Sequence, residues 1–233
     1  MKIIITGATK GIGRAIAESF AAEGFDLAIC SRSEADLEKT ATELLEKYDD
    51  IEVLMFPADL SKKKEVQDFG NFVTDQWKEI DILVNNAGVF LPGAIHKEED
   101  GILEKQIETN LYSAYHLTRS ILPVMLEKKK GHIFNMCSIA SLFAYPNGGS
   151  YSISKFALLG FSKVLREELK DKGIKVTSIL PGATWSNSWA GADFPESRLM
   201  QASDIASAVL GAWKMGDSAV VEEILIRPQL GDL

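Results

Sequence analysis

Lys2–Thr6 is a β-branched run that stops at Gly7, and T-G-A-T-K-G-I-G fills residues 6–13 ahead of an amphipathic stretch over Arg14–Ala22. Strand, glycine-rich turn and helix in immediate succession leave few folds open. A short apolar run bounded by glycine predicts a buried parallel strand. The helix that the turn opens presents free N–H groups and the positive end of its dipole, a ready anion site. Gly7 allows the tight turn, while Gly11 and Gly13 let the backbone approach a pyrophosphate and let helix pack on strand. Thr9, Lys10 and Ile12 lie between these glycines. The spacing is G-x-x-x-G-x-G, not the commoner G-x-G-x-x-G.

The same unit then recurs without a linker, an internal repeat or a low-complexity segment. Further strands are expected at 25–30, 51–56, 80–84, 132–137, 174–180 and 219–226. Helices are expected from Ser33 to about Tyr48, from a Ser61 cap to about Trp77, over 98–129, over 150–170, and from a Ser203 cap to Lys214. Strictly alternating strands and helices with right-handed crossovers predict one α/β domain, a doubly wound parallel sheet of about seven strands with helices on both faces. Ligands bind such sheets outside the carboxyl ends of the strands. That edge gathers the glycine turn, Arg32, Asp59, the N-N-A-G segment at 85–88, Ser138 and Pro181.

The end of the second strand speaks to the anion. An acidic residue there would bind an adenosine ribose through its 2′-hydroxyl. This chain has Ser31 followed by Arg32, and Lys10 inside the turn. A guanidinium suits a 2′-phosphate bidentately, so two cations and no carboxylate predict NADP(H). Leu60 follows Asp59; the asparagines, Asn86 among them, can tie neighbouring backbone turns together, while Ala87 and Gly88 leave room for a flat ligand.

Proton chemistry is offered by S-Y-S-I-S-K over Ser150–Lys155. On a helix, residues four apart share a face, so the Tyr151 phenol and the Lys155 ammonium point the same way. A free phenol has a pKa of roughly 10, and a fixed neighbouring cation is expected to lower it. The pair is then fit to exchange a proton during carbonyl–alcohol chemistry. Asn110 interrupts a predicted helix, where its propensity is poor. Trp185, Trp189 and Phe194 fall in irregular sequence over 183–202, which reads as a lid with apolar faces.

The net charge of −8 argues against a nucleic-acid partner. Cys30 and Cys137 have no metal or redox spacing, and His96, His116 and His132 are scattered, so no metal is expected. Met1-Lys2 runs straight into the first strand with no targeting pattern, and no apolar run is long enough to span a bilayer. A cytoplasmic protein without a membrane partner is the expectation.

Over essentially its whole length the chain resembles the short-chain dehydrogenases/reductases. T-G-A-T-K-G-I-G is similar to their cofactor turn, N-N-A-G to their central motif, and Tyr151-x-x-x-Lys155 to their catalytic pair, with Ser138 13 residues ahead of the tyrosine. The resemblance implies a Rossmann-type domain and assigns roles. Tyr151 would be the general acid in reduction, Ser138 would polarise the substrate carbonyl, and Lys155 would lower the phenol pKa and bind the nicotinamide ribose. Asn110 would anchor a water in a relay to Lys155, Asp59 and Leu60 would flank the adenine, and Pro181-Gly182 would form the turn after the sixth strand. Ser186 stands where the family usually has a threonine for the carboxamide. The familiar D-G-G near the last strand is replaced by V-V-E-E-I-L-I-R-P. That tail and P-G-A-T-W-S-N-S-W look more like bacterial sepiapterin-reductase-like members. The implied activity is NADPH-dependent reduction of a small-molecule ketone, with Tyr145, Trp185, Trp189 and Phe143 near the substrate. A 3-ketoacyl-carrier-protein reductase is the alternative enzyme, and a non-catalytic NADP(H)-binding regulator the alternative of another class. Family members usually pair through the two long helices, so a homodimer or homotetramer is expected.

Overall fold

The computed structural model describes residues 1–185 and 195–231. The strands are β1 (Lys2–Thr6), β2 (Asp26–Ser31), β3 (Val53–Pro57), β4 (Ile82–Asn85), β5 (Gly131–Met136), β6 (Ile174–Pro181) and β7 (Glu223–Ile226). They form one sheet in the order β3-β2-β1-β4-β5-β6-β7, every pair parallel. The helices are α1 (Gly11–Ala21), α2 (Glu34–Lys47), α3 (Lys63–Gln76), α4 (Ile102–Ile107), α5 (Ser113–Lys128), α6 (Gly149–Leu169) and α7 (Ala202–Trp213).

The strand alternation explains why β1 is apolar throughout. Ile3 and Ile5 face one layer with Ile16 and Phe20 of α1, Leu37 of α2 and Val209 of α7. Ile4 faces the other with Phe69 of α3, Ile121 of α5 and Leu165 of α6. A strand covered on both sides by helices has no polar face to present. Strand order reverses between β1 and β4, which opens the crevice where such sheets bind ligands.

Five expectations need correction. The helix expected over 98–129 is α4, a π-turn at Glu108–Tyr112 and then α5, because Asn110 turns inward and π-turns gather at functional positions. Ser61 does not cap α3; its hydroxyl bonds to Asp59, and Lys62 holds the cap position without a side-chain bond. The cap of α7 is Gln201, paired reciprocally with Asp204. The last strand starts at Glu223, not at 219, and Pro181 belongs to β6, opposite Ile226. As an end residue Pro181 needs no ladder N–H. Ser33, by contrast, caps α2 by accepting from the Asp36 N–H. No described helix is long and apolar enough to cross a membrane.

Candidate active site

The turn after β1 is built by close approach. Gly7 and Gly11 have φ of +66° and +54°, a region glycine enters without penalty. A Cβ on Gly13 would fall onto the Gly7 carbonyl oxygen and the Asn86 amide nitrogen. Asn86 donates from Nδ2 to the carbonyls of Thr6 and Gly7, at 2.9 and 3.2 Å. The Thr6 hydroxyl accepts from the N–H groups of Asn86 and Ala87, both at 2.9 Å. The ends of β1 and β4 are thereby tied into one floor. Thr6 was not legible as a site residue, since a threonine ending a strand looks like ordinary β-branched sequence.

A cleft of about 580 Å³ runs over that floor. It is lined by Gly7, Thr9, Lys10, Gly11 and Ile12, then by Ser31, Arg32, Asp59 and Leu60, and then by Asn86, Ala87, Gly88, Tyr151 and Lys155. Phe90, Lys105 and Thr109 line it as well, and no local sequence signal had marked them. Lys10 lies 3.2 Å from the Asp36 carboxylate, which leaves Arg32 as the principal cation of the β2 end. Burial works to raise the Asp59 pKa, but two hydrogen bonds from Ser61, with Lys62 and Arg32 nearby, hold it below the usual carboxylate range. Another concavity, of about 460 Å³, lies at the opposite end of the sheet among Lys129, Lys130, Arg166 and Lys175. It carries none of the proton-transfer groups.

Ser138, just past the end of β5, lies near the Tyr151 phenol and works against the rise of its pKa. Ser138 accepts from the Ala140 N–H at 3.1 Å, which fixes its side chain. The Phe90 ring meets the Tyr151 ring edge-on, centroids 4.8 Å apart. Lys155 is buried, donates to the Met136 carbonyl at 2.8 Å, and holds its ammonium 5.8 Å from the Tyr151 ring centre. Burial lowers its pKa to about 8. Burial also raises the Tyr151 pKa; the nearby Ser138 hydroxyl opposes the rise and Cys137 adds to it. The expected lowering by Lys155 is overturned here, because the phenol is enclosed in low-dielectric surroundings where an anion is costly.

Asn110 is buried behind this wall. Its Oδ1 accepts from the Val89 N–H at 2.7 Å, and its Nδ2 donates to the Val89 carbonyl and Ser154 Oγ at 3.0 and 2.9 Å. Both Nδ2 protons are committed, so the side chain clamps the loop after N-N-A-G. Gln106, one turn earlier, holds Leu91 the same way through its N–H and its carbonyl, each at 3.2 Å. Tyr145 stands beside Tyr151, with burial raising its pKa to about 12. Phe143 is exposed. Pro181 ends β6, and the N–H of Gly182 after it donates to the Ile226 carbonyl. Trp185 is anchored by its backbone N–H to Met200 and is not on the cleft wall; Ser186, Trp189 and Phe194 lie outside the described residues. Among the described residues no group of His, Cys, Asp and Glu could hold a metal ion.

Residues 1–193 match the family described as short chain dehydrogenase. The chain is 33% identical to a sepiapterin reductase of Chlorobaculum tepidum over 239 residues, covering 99% of this chain and 97% of that one. It superposes on an alcohol dehydrogenase of the archaeon Thermococcus sibiricus complexed with 5-hydroxy-NADP, with a TM-score of 0.89, 28% identity, and coverage of 98% and 96%. A 7α-hydroxysteroid dehydrogenase complexed with NADH and a 7-oxo bile acid gives 0.90, 25%, and 99% and 94%.

Proposed function

Because this chain belongs to the short chain dehydrogenase family, whose members are oxidoreductases of CH–OH or carbonyl groups, we propose that it is an NADP(H)-dependent ketone reductase with Tyr151 as the general acid. One observation carries the reading: Tyr151 and the buried Lys155 share one face of α6 on the wall of a glycine-floored cleft, the ammonium 5.8 Å from the phenol ring centre. A high phenol pKa suits a group that must hold its proton until carbonyl oxygen takes on charge.

The cleft fits a dinucleotide. Its glycine floor admits no Cβ at Gly13, and the N-terminus of α1 opens onto it. When bound, the nicotinamide supplies the hydride. The protein's part is placement and proton delivery. Ser138 donates to the ketone oxygen and Tyr151 gives it a proton. Lys155, cationic below about pH 8, stabilises the phenolate left behind. Asn110 keeps the Gly88–Val89 wall in place. Aromatic neighbours Phe90 and Tyr145 suit a flat ketone or a diketone, and the 33% identity to a sepiapterin reductase supports a substrate of that kind. Consumption of NADPH with a panel of ketones and diketones tests the proposal; no turnover on any of them counts against it.

Arg32 carries the choice of NADP(H) over NAD(H). Arg32→Ala is expected to raise the KM for NADPH about 10- to 100-fold, the worth of a charge-assisted hydrogen bond or two, and to leave KM for NADH nearly unchanged. Equal losses with both cofactors would place the guanidinium elsewhere.

We further propose that the protein pairs with a second copy of itself. Tyr112, Tyr115, Ile153, Phe156 and Val164 are large apolar groups left exposed on the π-turn, α5 and α6. Tyr115 meets Phe161 across the two helices at 5.7 Å, which makes the patch continuous. A self-complementary apolar face on two helices is the usual basis of a twofold dimer. Light scattering is expected to give a dimer or tetramer, and Phe156→Glu to shift it toward monomer with folding intact. A monomeric wild type contradicts the proposal.

A further inference from the structure

We propose that Glu98 is a positioning residue for Tyr151, holding the first turn of α6 from a loop that also lines the cofactor cleft. The inference rests on the reading of Tyr151 as proton donor. Helix α6 begins at Gly149, and Gly148 ahead of it offers no side-chain cap. The first N–H groups of a helix need partners from outside, and the dipole makes a carboxylate the favoured one. Glu98, 52 residues away in sequence, supplies it: Oε1 accepts from the Ser150 N–H at 2.9 Å, and Oε2 accepts from the Ser150 hydroxyl. Ser150 is 3% exposed and directly precedes Tyr151.

The approach is built for contact. Gly149 has a φ of +35°, and a Cβ there would overlap the Glu98 carboxylate and the Gly93 carbonyl. The Gly93 N–H in turn bonds to the Asn147 carbonyl at 3.0 Å. The other end of the loop is held by Asn110 on Val89 and Gln106 on Leu91. Between these anchors Phe90 touches the Tyr151 ring. The loop therefore fixes the phenol twice, through the ring by Phe90 and through the backbone by Glu98. A proton donor tolerates little misplacement, and about 1 Å costs on the order of 100-fold in rate.

Glu98→Ala and Glu98→Gln test this in the full-length protein. Amide hydrogen exchange without cofactor reads the first turn of α6, and ketone reduction reads kcat, KM and NADPH affinity. Glu98→Ala is expected to speed exchange at 150–154 locally and to lower kcat about 10- to 100-fold, with NADPH affinity within about twofold. Glu98→Gln, which keeps an acceptor for the Ser150 N–H, recovers most of the kcat. Unchanged exchange overturns the clamp. Faster exchange with unchanged kcat overturns the positioning role, as does a parallel fall in kcat and NADPH affinity. Should Glu98→Ala not fold, Ser150→Ala removes only the hydroxyl bond and is judged by the same criteria on a smaller scale. Full turnover in Tyr151→Phe would instead overturn the reading beneath the proposal, and faster exchange in Glu98→Ala would then describe a structural clamp alone.

Discussion

Tyr151→Phe is expected to lower kcat for NADPH-dependent ketone reduction by about 100- to 10,000-fold, the usual contribution of a placed general acid. The variant isolates the proton. Phenylalanine keeps the ring, its edge-on contact with Phe90 and its enclosure by the cleft, so NADPH affinity is expected to stay near wild type. The pH profile adds an independent check. Burial raises the phenol pKa, so Tyr151 stays protonated through the neutral range. The Lys155 pKa falls to about 8, so the lysine is the first of the two to lose its proton as pH rises. Reduction by the wild type should be level below pH 8 and decline above it. Alcohol oxidation needs the phenolate and should begin low at neutral pH and climb. Wild-type turnover in Tyr151→Phe, or a reduction rate that rises above pH 8, would remove Tyr151 from the chemistry.

The second large effect belongs to the glycine floor. Gly13→Ala is expected to cost about 1–3 kcal/mol of stability, the range for overpacking a close contact, and to weaken NADPH binding by about 10-fold or more as one charge-assisted phosphate contact is lost. The added methyl has no room, because the atoms it meets are the Gly7 carbonyl and the Asn86 amide, themselves bonded to each other. Relief requires moving the turn that would hold the pyrophosphate. Gly211→Ala is the control. It lies in α7, where a Cβ meets nothing within 4 Å, and replacing a helical glycine there should stabilise by about 0.5–1 kcal/mol. Calorimetry and NADPH titration on both variants decide the matter. Gly13→Ala behaving like Gly211→Ala would mean that the turn is slack.

Asn110 shows where local reading stops. Its poor helix propensity was visible, but the outcome, a π-turn with the amide clamping Val89, depends on a loop 21 residues away. Tyr151 and Lys155 show a different limit. Their spacing put them on one face, as found, yet the phenol pKa moves opposite to expectation. A neighbouring charge can be read from spacing, whereas burial is the work of every element packed around the site. Glu98, Gln106 and Thr6 escaped notice because each acts through a distant partner and sits in unremarkable sequence.

By itself the sequence determined what is periodic or short-range. The alternation of apolar strands and amphipathic helices specified a parallel sheet covered on both faces, and the glycine spacing specified a tight turn at the end of β1. The order of β4 beside β1 was left to tertiary packing, and so was the joining of Thr6 to Asn86 and of Glu98 to Ser150. Only there was the sign of the Tyr151 shift settled as well. Backbone preferences act over a few residues, while desolvation and long-range hydrogen bonds exist only once the chain has closed on itself.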